Sequence, residues 1–307
     1  MAPRPGSKGP RHAATVGILV TFSFSMVGAI TKVLGRRVPS FQQIFLRSLM
    51  SLIGSFLVGD MAVGSLQKSE HKGALLLRGA FGFGAVLAYS EAARTTPLAV
   101  TSLVSRLHPL IGTVLARIVL KEQLELRNVW ALLMGAAGIV VMAPTAAWAA
   151  LGLIPAEEGT LSKNETSTYG YLVSVAAAVL TAAALLCVRR LAVLGEDAAA
   201  VRLTFHLANC IGGGVNSLVL GWIIPSAWDL MLIAVAAASI SCAQWALTNL
   251  MARASLVDSS PFFFLSVVFN MLWGLLLGDP YPSTAQLLGA GLILGATLSG
   301  TLCNQQS

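Results

Sequence analysis

Long apolar runs alternate with short polar breaks from one end of the chain to the other. Ten runs approach or exceed the roughly 20 residues that a helix needs to cross a bilayer core. They fall near 13–34, 41–61, 73–93, 96–120 and 128–148, then 169–190, 198–223, 227–252, 256–278 and 283–303. The breaks are short except for 149–168, which is polar and acidic. The pattern predicts an all-α membrane protein, with 1–12 a disordered basic tail and 304–307 a short end. No soluble domain fits between the runs.

The second half echoes the first. At a shift of 157, Leu115 falls on Leu272, Leu120 on Leu277, Glu122 on Asp279 and Gly138 on Gly295. At a shift of 155, Arg47 falls on Arg202 and Leu52 on Leu207. An odd number of spans per half forces two like halves into opposite orientations, a layout that recurs in secondary transporters. The expected architecture is ten transmembrane helices in two inverted-topology five-helix repeats, 13–148 and 169–303, joined by the extramembrane linker 149–168.

Composition narrows the class. The 307 residues are 56% hydrophobic and 11% charged, with a mean hydropathy of +0.77. A soluble domain carries about a quarter charged residues, so this chain lacks the polar surface to face water all round. The net charge of +7 invites a nucleic-acid partner, but the basic residues are scattered between and inside apolar runs rather than gathered in a patch. They read as topology signals and pocket residues, and no nucleic acid is expected. With the N-terminus inside, the cytoplasmic segments hold Arg4, Lys8, Arg11, Lys68, Lys72, Lys121, Arg127, Arg189, Arg190 and Arg253, against Arg36, Arg37, Arg94 and Lys163 outside. Both termini are therefore expected in the cytoplasm. The linker then lies outside with its sequon Asn164-Glu165-Thr166. Both the plasma membrane and an intracellular membrane stay open. The run 15–34 is too long for a signal-peptide core. Cys187, Cys210, Cys242 and Cys303 sit in apolar stretches and read as packing residues.

Small residues at four-residue spacing, Gly112 with Ala116 and Gly291 with Gly295, suit close helix packing in lipid. Gly79, Gly82 and Gly84 thin the third span in the same way. Pro109 and Pro261 are expected to kink the fourth span and the start of the ninth.

Candidate chemistry lies with polar groups at membrane depth, where a charged side chain costs about 2.5 kcal/mol or more unless partnered. Arg106 and His108 sit mid-way along the fourth span in Ser105-Arg106-Leu107-His108-Pro109. A guanidinium there suits a substrate carboxylate or phosphate, with His108 as neighbour or proton acceptor. The alternative is a buried ion pair, for which Glu91 is a candidate. Arg47 and Arg202 occupy matching places in the repeats and fit gate or scaffold contacts; Arg202 could also snorkel to the interface. His206 fits a satisfied interhelical histidine, and Arg78, Arg117 and Lys32 fit snorkelling side chains near span ends. Tyr89 and Glu91 end the third span, while Gln244, Trp245 and Asn249 occupy the corresponding eighth. An aromatic face with amides suits a planar or polar organic ligand. Asn270 offers an interhelical hydrogen bond or a ligand contact. No phosphate loop, catalytic set or metal-like cluster is present, so no enzyme activity, cofactor or metal is expected.

These features resemble the drug/metabolite transporter superfamily, in its EamA-domain branch. The resemblance is carried by Leu77-Arg78-Gly79-Ala80-Phe81-Gly82, Thr96-Pro97-Leu98-Ala99, Pro109-Leu110 and Leu120-Lys121-Glu122-Gln123-Leu124. The second half contributes Leu277-Gly278-Asp279 and Gly289-Ala290-Gly291-Leu292. The pattern is similar to the G-type members of solute carrier family 35. It departs at Asp279-Pro280, where relatives commonly carry a glutamate and a less rigid loop. The resemblance implies two inverted repeats, alternating access, and a central cavity lined by the third, fourth, eighth and ninth helices. Substrate does not carry over, since relatives move amino acids, organic acids, drugs and nucleotide-linked sugars. The expected function is secondary-active transport of a small polar organic solute, anionic or zwitterionic, by exchange or proton coupling. A nucleotide-sugar-type exchanger and a non-transporting scaffold or receptor are the alternatives. Expected partners are the small-molecule substrate and the lipid bilayer, and a homodimer is allowed.

Overall fold

The computed structural model describes residues 10–35, 37–59, 63–95, 104–142, 168–278 and 281–302. The sequon, most of the linker, Arg36, Asp279, Pro280, Cys303, the start of the expected fourth span and both chain ends lie outside the described residues. The described residues form helices and no strand: α1 (Pro10–Leu34), α2 (Ser40–Val58), the short α3 (Val63–Lys68), α4 (Lys72–Thr95), α5 (His108–Leu115), α6 (Leu126–Met142), α7 (Thr168–Val193), α8 (Ala198–Leu220), α9 (Ala227–Arg253), α10 (Leu256–Leu276) and α11 (Thr284–Leu302). A π-helical turn, Ala116–Leu120, continues α5.

Seven of these helices are long and apolar enough to cross a membrane, and His108–Leu120, Asn128–Met142 and Thr284–Leu298 are shorter apolar helices. Leu57, Val58, Leu218, Val219 and Ile224 are each at least 78% exposed. So large a bare apolar surface suits lipid and not water. The chain is an integral, multi-pass membrane protein.

Local chemistry sets the boundaries. α2 ends at Gly59, whose φ of 75° closes the last turn. Ser226 opens α9 with a capping box: its hydroxyl accepts from Asp229 N, and the Asp229 carboxylate accepts from Ser226 N. Ser255 caps α10 in the same way through Asp258 N. The fourth span departs from the expected continuous helix. Val104 and Ser105 are helical, Arg106 and Leu107 form a two-residue turn, and α5 begins at His108 with Pro109 in its first turn. Proline is preorganised for the first turn of a helix, so Pro109 sits where the helix resumes after the two-residue break. The N-terminal helix also begins earlier than expected, at Pro10.

α4 packs along α7, α1 along α9 and α10, α2 along α8, and α6 along α11. α8 also meets α4, α9 meets α2, and α5 lies against α7 and α10. One core, with Val20, Leu191, Leu247, Met251, Leu256 and Val257, fills the end where α7 and α9 finish and α10 begins. Another joins α6, α10 and α11 through Leu132, Ile139, Phe264, Leu265 and Ile293. Gly79 packs closely as expected, since a Cβ there would stand 3.2 Å from Thr204 O of α8, but the pair Gly291 and Gly295 does not make the close contact of α11. A Cβ on Gly138 would stand 2.7 Å from Gly289 O, and one on Gly289 would stand 2.5 Å from Gly138 O, so α6 and α11 touch backbone to backbone. Gly291 instead faces open space. On α8, a Gly213 Cβ would meet Phe45 N of α2 at 2.9 Å.

Candidate functional site

Three polar assemblies interrupt this apolar interior. The first lies between α5 and α10. Arg106, in the turn before α5, donates from Nη1 to Ser266 Oγ, and Ser266 in turn donates to Phe263 O at 2.6 Å. His108 places Nδ1 2.8 Å from Ser105 O, and its ring lies 6.0 Å from that of Phe263. Because α5 begins only at His108, the Arg106 peptide sits in a turn, and the guanidinium reaches across to α10. Tyr89 of α4 is within electrostatic reach of Arg106. Below this group, Thr113 Oγ1 donates to Pro109 O at 2.9 Å and meets Ser260 Oγ of α10 at 3.0 Å.

The second assembly joins α2, α4, α8 and α9. Arg78 Nη2 donates to Gln244 Oε1 at 3.0 Å, and its guanidinium carbon lies 4.8 Å above the Phe205 ring. Gly82, one turn on, leaves the room: a Cβ there would stand 2.5 Å from Arg78 Nη1. Arg202 Nη1 donates to Thr248 Oγ1 at 3.4 Å. His206, one turn after Arg202, lies within reach of the charges of Arg47, Arg78 and Arg202. Arg78 and Arg202 are thus buried, at 3% and 5% exposed, and do not snorkel. His206 is not satisfied either, because neither ring nitrogen has a hydrogen-bond partner. Helix phase explains both departures. These spans are apolar around most of their circumference, so sequence position gives depth along the helix but not the direction a side chain points.

The third assembly is a staple that sequence reasoning did not single out. Lys121 takes a left-handed backbone, φ 55°, at the end of the π-helical turn. The chain then turns back and presents Glu122 to two elements, α7 and α10. Its Oε1 accepts from Arg189 Nε of α7 at 2.7 Å, and its Oε2 accepts from Leu256 N and Val257 N at 2.9 and 3.3 Å. Arg189 Nη1 also donates to Met251 O of α9 at 2.6 Å. The carboxylate therefore caps the positive end of α10 while closing a buried ion pair. The non-glycine residue in left-handed backbone is the one local signal that marks this corner.

The other expected site residues are dispersed. Gln244 is brought to Arg78, whereas Tyr89 and Trp245 are 39% and 45% exposed. Asn249 Nδ2 donates to Trp245 O at 2.9 Å within α9, which satisfies it locally. Asn270 is half-buried, with Oδ1 over the bare Cα face of Gly28 in α1. Glu91 is half-buried near the end of α4. Arg47 lies on α2, beside the second assembly rather than the first. Among the described residues, no group of three or more His, Cys, Asp or Glu side chains could hold a metal ion.

Residues 12–143 match the model of the EamA-like transporter family. The chain carries an EamA-family domain. Over 94% of its length it is also 22% identical to the pseudopaline exporter CntI of Pseudomonas aeruginosa strain UCBPP-PA14, covering 95% of that protein. The strain PAO1 exporter of the same name matches at 22% identity, again over 94% of this chain and 95% of the relative. A solved crystal structure superposes with a TM-score of 0.76 at 21% identity, covering 96% of this chain and 98% of its own. That likeness shows a shared fold. The chain is a distant homologue of these exporters and a membrane transporter.

Proposed function

We propose that this EamA-domain transporter moves a small polar organic solute, anionic or zwitterionic, by secondary-active alternating access. The observation that carries the reading is the placement of Arg106: a guanidinium at membrane depth whose partner is the neutral Ser266 on a helix from the other half. A charge held by a hydroxyl keeps capacity for a substrate anion, which a saturated ion pair would not. His108 lies two residues away, and Tyr89 is within reach of the same charge. In this reading the Arg106 fork takes the anionic group, and the half-exposed Tyr89 and Trp245 hold the body.

The packing supports two inverted five-helix repeats. Pairing α1, α2, α4, α5 and α6 with α7 through α11 in order turns the α4–α7 contact into α9–α1. The same exchange turns α1–α10 into α7–α5 and α4–α8 into α9–α2, all of which occur. The contacts α2–α8, α5–α10 and α6–α11 each map onto themselves. Interlocked halves of this kind suit rocking of one bundle against the other around a central site. The cytoplasmic placement of both termini, the G-type likeness, and the choice between exchange and proton coupling belong to the same proposal.

The test is flux of labelled metabolites in liposomes holding the purified protein, with Arg106→Ala beside the wild type. Uptake of an organic anion by the wild type, lost in a folded Arg106→Ala, is the expected result. Equal flux in the two proteins would remove Arg106 from the site. Ligand-induced stabilisation without any flux would favour the scaffold or receptor alternative.

A further inference from the structure

The assembly between α2, α4, α8 and α9 is a concentration of positive charge that the reading above does not use. Arg78 is 3% exposed, and its polar neighbour is a neutral amide, Gln244 Oε1 at 3.0 Å. Its Nε has no hydrogen-bond partner, and neither has Nε of Arg47 on α2, which packs against α8 and α9. Neither arginine is paired with a carboxylate among the described residues. His206, wholly buried, has no hydrogen-bond partner at either ring nitrogen, and its ring lies 5.2 Å from that of Phe205. The charges of Arg47, Arg78 and Arg202 all act on that ring. Buried cations are ordinarily paired, because the penalty for removing a charge from water is recovered only by an opposite charge and full hydrogen bonding. Here the positive charges converge and unsatisfied donors accompany them.

The placement is also built rather than accidental. Gly82 clears the volume that Arg78 Nη1 occupies, since a Cβ would stand 2.5 Å from it. Thr248 accepts from Arg202 at 3.4 Å and donates to Gln244 O at 3.0 Å, so α9 holds both arginines in register. Arg47 and Arg202 are the repeat-related pair, and the packing of α2 on α8 brings both to His206.

We propose that Arg47, Arg78 and His206, with Gln244 orienting Arg78 and Arg202 adding charge, form a buried oxyanion-binding subsite that takes a carboxylate or phosphate group. This deepens the transport reading and rests on it, since it commits the solute to carrying such a group. Convergent guanidinium forks match the oxygens of either anion, and an imidazole N–H supplies a further donor. Because His206 is fully covered, the anion enters when α2 and α8 separate from α4 and α9. The subsite then closes over it.

The experiment uses the full-length protein purified in detergent. Thermal unfolding is followed with inorganic phosphate, with succinate and with chloride at matched ionic strength. The proposal expects phosphate or succinate at millimolar concentration to raise the wild-type midpoint by several degrees over chloride. It expects apparent affinity to fall at least tenfold in Arg78→Gln and in Arg47→Gln, while Arg253→Gln keeps the full response. If Arg78→Gln does not fold, Gln244→Leu and Gly82→Ala, which displace the guanidinium without removing it, are expected to weaken the response in its place. An equal shift in wild type and arginine variants, or no shift with either oxyanion and no lipid effect, overturns the subsite. A parallel arm in phosphatidylcholine nanodiscs, with and without phosphatidylglycerol, separates a headgroup phosphate from a free anion. Arginine-dependent stabilisation by phosphatidylglycerol alone supports the subsite with a lipid as its occupant. Flux of an organic anion that is lost in Arg106→Ala but persists unchanged in Arg78→Gln and Arg47→Gln overturns the subsite and leaves the transport reading standing.

Discussion

Removing the Glu122 carboxylate tests how one end of the bundle is held. The side chain is 9% exposed, and its Arg189 partner is 18% exposed, so solvent screens the pair little. Glu122→Ala deletes the 2.7 Å bond from Arg189 and the two amide bonds from the start of α10. Breaking a buried pair by taking one partner costs about 3–5 kcal/mol, and losing an acidic cap at a helix N-terminus costs about 0.3–1 kcal/mol. Arg189 keeps its bond to Met251 O at 2.6 Å, which holds the expected loss at about 3 kcal/mol, the lower end of that range. Glu122→Gln retains an acceptor and loses only the charge assistance, so about 1–2 kcal/mol is expected. Exchanging the partners, Glu122→Arg with Arg189→Glu, restores the ion pair but sets a cation against the positive end of α10. Recovery from the single substitutions should therefore be partial. The assay is thermal unfolding of the purified variants in one detergent, with the midpoints ordered wild type, Glu122→Gln, exchanged pair, Glu122→Ala. A Glu122→Ala midpoint within about half a degree of the wild type would refute the staple, since about 3 kcal/mol must shift it by several degrees.

The glycine contact gives a sharp contrast. Gly138→Ala forces a Cβ to 2.7 Å from Gly289 O and is expected to cost about 1–3 kcal/mol, whereas Gly291→Ala enters open space and should change stability by about 0.5 kcal/mol or less. Unfolding midpoints of the two variants decide it. Ser226→Ala removes the hydroxyl that accepts from Asp229 N and donates to Asp229 Oδ2 at 2.7 Å, and should lower stability by about 1 kcal/mol. Hydrogen exchange localised to the first turn of α9 would report that loss, and unchanged protection there would count against the cap. Ser266→Ala takes away the hydroxyl that holds Arg106, and should raise the half-saturation concentration of a transported anion more than it lowers maximal flux. An unchanged concentration dependence would argue that Ser266 does not position the guanidinium.

Span positions were legible because lipid imposes a length and an apolar composition that hydropathy reads directly. The starts and ends of α2, α8, α9 and α10 fall within a few residues of the expected ones. The fourth span was expected to be continuous because an apolar run hides the two-residue break at Arg106 and Leu107, and Pro109 was the residue that marked its neighbourhood. Arg106 was recognisable as a charge in an apolar run. Its partner was not, since Ser266 lies 160 residues away on a helix whose phase the sequence leaves open. The same limit hid the burial of Arg78 and Arg202, and it hid Glu122, whose partners come from α7 and α10. Small-residue spacing pointed to Gly291 and Gly295, but contact is made through Gly138 and Gly289, because spacing marks a face without saying what that face meets.

The most direct measurement is counterflow: liposomes holding the protein are preloaded with an unlabelled organic anion, and entry of the same anion carrying a radiolabel is followed over time. A carrier with an alternately exposed site should accumulate label transiently above its outside concentration, and the overshoot should disappear without preload and in Arg106→Ala. Label entry that never exceeds simple equilibration across a panel of acidic and zwitterionic metabolites, from protein shown to be folded, would contradict the account.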